Sequence, residues 1–252
     1  MAILKAVMIH DQIYLCLRKA LMCGHFKPGE QLSARGLATE LEVSQMPVRD
    51  ALNRLTSESA LERTKDRRYR VPLLDETYIK NLYEARLTNE GRAAELAASR
   101  MTKNDLIKLI DVQDRIEKEA KLKLELRGKP DDEVDVRNDV NLHNEFHFTI
   151  YRSCENPVLV SIIEMLWLQY APGISIYIEN FTTSLSKTAL EKQNRMHNKR
   201  HRKIIAALKS KNPVTTKEVL MDDITSYKDI LESSNSEQAN ILSTRHISEY
   251  IV

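Results

Sequence analysis

The stretch Leu41-Glu-Val-Ser-Gln-Met-Pro-Val-Arg-Asp-Ala-Leu-Asn-Arg-Leu55 carries its own start signal. Ser44 can accept a bond from one of the backbone N–H groups left unpaired at a helix start, and Pro47 falls in the first turn, where its missing donor costs nothing. Val43, just before the cap, and Val48 can pack together as a hydrophobic staple. Val48, Ala51, Leu52 and Leu55 then make one apolar stripe, with Gln45, Met46, Arg49 and Asn53 on the opposite face. An Arg fork suits guanine O6/N7, Gln or Asn can pair with adenine, and Met can pack on a thymine methyl, so that outer face has the chemistry of a major-groove reader. An ordinary surface helix has the same pattern, and the flanking sequence has to decide.

On the amino-terminal side, Ile13, Leu17, Ala20 and Leu21 recur at helical spacing from His10 to Cys23, and Gly24 with Pro28-Gly29 ends the element. A short helix over Ala34 to Leu41 buries Leu37, Ala38 and Leu41, and three residues lead from it into the capped helix. Two short helices joined by a tight turn, the second polar on one face, describe a helix-turn-helix. After Ser57, Leu61-Glu-Arg-Thr64 and Tyr69-Arg-Val71 read as extended pieces around Lys65-Asp-Arg-Arg68. They predict a hairpin wing whose Arg63, Lys65, Arg67, Arg68 and Arg70 could grip phosphate.

The remaining chain is long enough for a second domain, and the boundary is drawn between 1–74 and 75–252. Residues 1–74 hold 12 Lys/Arg against 8 Asp/Glu, net +4, while the whole chain is only +2. A mildly basic head on a slightly acidic body suits a small nucleic-acid contact attached to something else. Cys16, Cys23 and Cys154 show no paired spacing and read as thiols in a reducing compartment. The apolar run at the amino terminus is too short for a signal peptide. Val158 to Ile178 contains Glu164, Gln169 and a Pro172-Gly173 break, which fits a buried helix better than a bilayer span. A cytoplasmic protein without membrane contact is expected.

From Asp75 the pattern is helical. Ile79, Leu82, Tyr83, Arg86, Glu90, Ala93 and Ala97 form one stripe, so Arg86 and Glu90 lie at i,i+4 in an apolar face and must pair or serve a ligand. Lys103 to Leu126 reads as a long charged amphipathic helix, and the acidic run Asp131 to Asp135 as a solvated connection. In Asn141-Leu-His-Asn-Glu-Phe-His-Phe-Thr-Ile-Tyr151, His143 and His147 share one helical face. Glu145 points about 200° away from His143, so this is not the zinc-protease pattern, and no catalytic residue is assigned. His201 lies beside the stripe of Ile204, Ile205 and Leu208. Asp223 lies within Val219, Leu220, Tyr227 and Ile230, where a carboxylate wants a cation. His143, His147, His201 and Asp223 together make a plausible site for zinc, with nickel or manganese as alternatives. His197 competes for the fourth ligand position. Trp167 is either a pocket wall for an effector or a core residue. The tail from Ser233 to Val252 shows weak helical periodicity.

Phe26-Lys-Pro-Gly-Glu-Gln-Leu32, Gly36-Leu-Ala38, Leu41-Glu-Val-Ser44, Pro47-Val-Arg-Asp-Ala-Leu52 and Leu55 resemble the winged helix-turn-helix head of the GntR family of bacterial transcription regulators. By that resemblance Arg35, Ser44, Gln45, Met46 and Arg49 stand where family members contact DNA. The chain departs from the family in having Gln45 at an often basic position, Ala60 for a usual glycine, and Asp66-Arg67-Arg68 at a wing tip without glycine. Leu82-Tyr-Glu-Ala-Arg86, Ala93-Ala-Glu-Leu-Ala97, Phe146-His147, Asn156-Pro-Val-Leu159 and His201-Arg-Lys-Ile204 resemble the all-helical sensing domain of the FadR subfamily. In its metal-binding members the ligands are one Asp and three His. His143 stands where the Asp is usual and Asp223 where the last His is usual, which reads as a reciprocal exchange. The resemblance implies a mainly α protein: a winged helix-turn-helix with a small β-hairpin wing, then an all-α antiparallel bundle. The function it implies is a dimeric regulator of operator DNA, sensing a small carboxylate near a metal through Arg86. A metal-free sensor and, further off, a metalloenzyme are the alternatives.

Overall fold

Helix α3, Gln45–Ser57, buries Val48, Ala51, Leu52 and Leu55 as its apolar spacing requires. It belongs to a computed structural model that describes residues 2–73, 75–128 and 137–226, without the side chains of 2–8, 137 and 174–183. Helix α2, Ala34–Glu40, is capped by Ser33, whose hydroxyl accepts from the Gly36 N–H at 3.0 Å. The turn between them is made by Glu42, at a left-handed φ of 54°, and by the Val43 N–H bonding to the Ala38 carbonyl. Ser44 stands at the cap position of α3 in extended conformation, but its side chain makes no capping bond. The expected cap is therefore a backbone geometry without the hydroxyl's contribution.

Helix α1 spans Ala2–Met22 and starts eight residues earlier than its periodicity indicates. Tyr14 on it donates to the Glu58 carboxylate at 2.7 Å, and the Arg54 guanidinium lies 3.6 Å from the Tyr14 ring centre, which clamps α1 against α3. Cys16 on α1 and Cys23 just after it are buried, and burial pushes both thiols up to about 11. The wing is a sheet of three short strands, β1 Gln31–Leu32, β2 Glu62–Arg63 and β3 Tyr69–Arg70, in the order β1-β3-β2 and antiparallel throughout. Leu32 pairs with Tyr69 and Arg63 with Tyr69 across the two ladders. The hairpin read from the sequence thus gains a third strand from the segment before α2. At its tip Arg67 takes a left-handed φ of 62°, the conformation for which glycine is usual.

Six further helices follow: α4 Glu76–Arg100, α5 Lys103–Leu126, α6 Arg137–Arg152, α7 Pro157–Ser184, α8 Lys187–Lys209 and α9 Pro213–Thr225. Their starts are chemically marked. Thr102 and Asp105 form a capping box at α5, Asn156 caps α7 ahead of Pro157, Ser186 caps α8, and Asn212 caps α9 ahead of Pro213. Helix α7 runs through Pro172, so the expected break at Pro172-Gly173 does not occur. An interior Pro costs roughly 3 kcal/mol; the burial of Trp167, Leu168, Tyr170 and Ala171 in the turn before it offsets that cost. Among the described residues no helix is long and apolar enough to cross a membrane. The acidic run 131–135 and the tail 233–252 lie outside the described residues.

The chain divides into two compact units. The first holds Met1–Asp75 with Met165–Ile176, and its core of α1, α2, α3 and the wing includes Leu168 of α7. The second holds Glu76–Glu164 and the described chain from Tyr177. Within it α4 packs on α6 and α9, and α8 packs on α5 and α9. A Cβ on Gly91 of α4 would come 3.3 Å from the Met221 sulfur, so α4 and α9 approach closely where α9 must present Asp223. In the first unit Leu52 is fully buried, and we expect Leu52→Ala to destabilise it by about 2–5 kcal/mol, read by urea unfolding.

Candidate functional site

On the first unit, the face of α3 opposite the core carries the side chains expected to read DNA. Gln45, Met46, Arg49 and Asn53 are exposed, Met46 at 69%, as are Ser44 before them, Arg35 on α2 and Arg67 and Arg68 on the wing. Asn53 is not a simple outward side chain. Its Oδ1 accepts from Arg63 Nη2 at 2.8 Å and from the Tyr69 hydroxyl at 2.8 Å, and Arg63 also lies over the Tyr69 ring. Asn53 therefore ties α3 to the wing. Arg68 donates to Gln31 Oε1 at 3.1 Å and pairs with Asp66 at 3.1 Å, bracing β1 against the tip.

In the second unit, helical spacing and packing bring the metal candidates together. His143 and His147 come from α6, four residues apart, with ring centres 4.5 Å apart. His201 comes from α8, with its ring stacked 3.8 Å from Phe146 and nearly parallel to it. Asp223 comes from the last turn of α9. His147 Nε2 lies 3.4 Å, and His201 Nε2 3.8 Å, from Asp223 Oδ2. His147, His201 and Asp223 can thus point one ligand atom each at a common centre, and His143, His197 and His201 form a second such group sharing His201. All are buried except His197, which is half-buried.

The chemistry of this cluster fits a cation. Asp223 is fully buried, yet neither of its oxygens accepts a hydrogen bond, and His201 Nε2 has no hydrogen-bond partner among the described residues. A carboxylate taken out of water without donors is costly unless a positive charge is supplied. His143, His197 and His201 do not readily supply it. Burial first, then the neighbouring imidazoles, hold His143 and His201 well below the usual imidazole range. Burial likewise lowers His197, against the pull of Asp223. Imidazole nitrogens around one carboxylate are the donor set for zinc or a similar divalent ion.

A hydrogen-bonded relay stands behind His147. Its Nδ1 lies 3.1 Å from the Tyr151 hydroxyl, which donates to Glu90 Oε2, and Glu90 in turn binds Arg86 through Nε at 2.6 Å. Burial, reinforced by Glu90, pushes the Tyr151 phenol well above its ordinary value, so it remains a donor. Of the two roles open to Arg86, the ion pair is the one present, and a direct effector contact would have to exchange Glu90 for the ligand. Trp167 belongs to the other unit, fully buried with its ring edge-on to Tyr170 at 6.2 Å. Tyr151, Glu90 and Gln113, which meets His201, were not singled out as site residues by pattern. Glu90 had a signal as the charge four residues from Arg86 in an apolar face, and Tyr151 continues the four-residue spacing of His143 and His147.

The family of bacterial regulatory proteins named gntR matches residues 9–71, and the FCD domain family matches residues 81–226, more than half of the chain. This chain belongs to the GntR family, with an FCD domain as its second part. It is 27% identical over 209 residues to the HTH-type transcriptional regulator McbR of Escherichia coli, covering 83% of this chain and 86% of McbR. The Nta operon transcriptional regulator of Aminobacter aminovorans is 30% identical over 142 residues, covering 56% of this chain and 62% of that regulator. The solved structure of E. coli McbR/YncC superposes with a TM-score of 0.77 at 25% identity, covering 90% of this chain and 98% of McbR. The GntR chain is thus a transcriptional regulator like these relatives, which are named as regulators and not as enzymes. Both parts of its resemblance and its mainly helical fold with a small antiparallel wing agree with the reading from sequence.

Glu90 carries the energetics of the relay, because its removal deprives the buried Arg86 of its ion-pair partner. We expect Glu90→Ala to cost about 3–5 kcal/mol and to lower the melting temperature of the second unit in calorimetry.

Proposed function

We propose that this GntR-family regulator is a cytoplasmic homodimer that binds operator DNA through α3 and the wing, and that its FCD bundle holds a divalent cation, zinc for preference, at His147, His201 and Asp223. His143 or His197 completes the set. The observation that carries the reading is the convergence of two buried imidazole Nε2 atoms on a buried carboxylate whose oxygens accept no hydrogen bond among the described residues. Imidazole donors suit zinc and nickel better than magnesium or calcium, which prefer oxygen.

A cation there supplies Lewis acidity and a coordination position that a small carboxylate effector could take. The chain's own residues do the rest. Tyr151 and Glu90 orient His147, Phe146 holds the plane of the His201 ring, and Arg86 anchors Glu90 through a buried ion pair. Effector binding then biases which arrangement of the two heads is populated, and with it the fit to half-sites one helical turn apart, about 34 Å. On the head, Gln45, Met46 and Arg49 are the base readers, while Arg35, Arg67 and Arg68 contribute phosphate contacts.

Two measurements test this. Arg49→Ala should weaken operator binding by about 1–3 kcal/mol in fluorescence anisotropy while the melting temperature is unchanged; an unaltered affinity speaks against α3 as the reader. His147→Ala should lower the metal content of tag-free protein by elemental analysis and blunt the response to carboxylates, with DNA binding retained. Full metal content in that variant would remove the proposed site.

A further inference from the structure

Outside the ligand cluster, one polar side chain on α5 meets it from a direction nothing in the sequence marks. Gln113 is buried at 2% exposure in a helix that is otherwise largely charged on its outer side. Its Oε1 lies 2.7 Å from His201 Nδ1, and its Nε2 donates to Glu117 Oε1 at 3.0 Å and to Asn198 Oδ1 at 3.2 Å. Glu117 is itself anchored by Arg202, with Nε on Oε1 at 2.8 Å and Nη2 on Oε2 at 2.5 Å. Against the upward push of burial, the Arg202 and Gln113 bonds hold Glu117 below the usual carboxylate range.

This arrangement has a direction. An ionised carboxylate only accepts, so the Gln113 group facing Glu117 is the amide NH2. The amide oxygen is then the group facing His201, which requires the proton of that neutral imidazole to be on Nδ1. The lone pair is left on Nε2, the atom aimed at Asp223. The anchor that starts the sequence is not buried. Glu117 and Arg202 line a groove of about 700 Å³ between α5 and α8, beside Lys121, Arg195 and Lys199.

We propose that Gln113 is a positioning residue that fixes His201 in the Nδ1-protonated tautomer, with the Arg202–Glu117 pair at the groove setting the orientation of its amide, so that Nε2 is held ready for a cation. The inference rests on the cation reading of the cluster, and it adds the external control point: a change at the α5–α8 groove reaches an inner ligand through a single side chain. Partners of this kind alter metal affinity by roughly tenfold to a hundredfold when removed.

The test uses full-length protein. Zinc affinity is measured by competition with a chromogenic chelator for wild type, Gln113→Leu, and the double variant Gln113→Glu/Glu117→Gln. Imidazole 15N spectra of the zinc-free wild type report which His201 nitrogen carries the proton. The double variant exchanges the amide and the carboxylate while keeping an acceptor against His201 and a donor between positions 113 and 117. Gln113→Leu should bind zinc roughly tenfold to a hundredfold more weakly, and the double variant should recover wild-type affinity; the spectrum should show Nδ1 protonated. Equal affinity in wild type and Gln113→Leu overturns the inference and leaves the cation reading intact. Wild-type protein that binds no zinc while His201 is protonated on Nδ1 removes the cation reading alone. Should Gln113→Leu fail to fold, the wild-type spectrum and the double variant decide, and a proton on Nε2 or a double variant without affinity overturns the inference.

Discussion

Asp223 places a carboxylate at zero exposure in the middle of a helical bundle, and neither oxygen accepts a hydrogen bond among the described residues. It has little room to escape. Asn212 and Pro213 fix the start of α9, and the close approach at Gly91 presses that helix against α4, so the side chain cannot be carried outward without opening the α4–α9 packing. The free-energy cost of such a group is large, and what surrounds it is arranged to meet it: imidazole nitrogens from α6 and α8 on one side, and behind them a Tyr, a Gln and two arginine-anchored glutamates. The bundle thus holds, within an apolar core, a local charge deficit at Asp223. The same deficit links the site to folding, because anything that supplies charge to the native cluster and not to the unfolded chain stabilises the bundle by mass action.

The two relays differ in setting. Arg86 and Glu90 are almost fully buried, so their pair is rigid and shielded from salt, whereas Arg202 is two-thirds exposed and its pair with Glu117 is open to screening. One imidazole is thus referenced to the interior of the protein and the other to its surface.

Much of this was legible in the sequence where local pattern dominates. The helical stripes gave α5 its residue bounds, Lys103–Leu126, and the blocks from Phe26 to Leu55 gave the head its class. The four-residue spacing of His143 and His147 placed both imidazoles on one helical face, where their ring centres lie 4.5 Å apart. The departures have physical reasons. Strand β1 is two residues long and exists only through its pairing with β3, nearly forty positions away, so no local periodicity could announce it. Pro172 reads as a helix stop by propensity, but burial of its neighbours keeps α7 continuous. The Ser44 cap was a reasonable inference from residue type, and the backbone alone makes that turn. Gln113 was out of reach for a different reason. A single amide on a charged helix carries no pattern, and its meaning lies wholly in which helices pack beside it.

The head shows how one side chain can hold two obligations. Asn53 stands on the exposed face of α3, yet its oxygen receives both Arg63 and Tyr69 and so braces the wing. Were α3 the proposed reader, a replacement at this position during divergence toward new promoters would disturb the scaffold as well as the code. On the proposed reading of α3, change in target choice falls to Gln45, Met46 and Arg49, whose side chains owe the wing nothing among the described bonds, while any change at Asn53 carries an architectural debt.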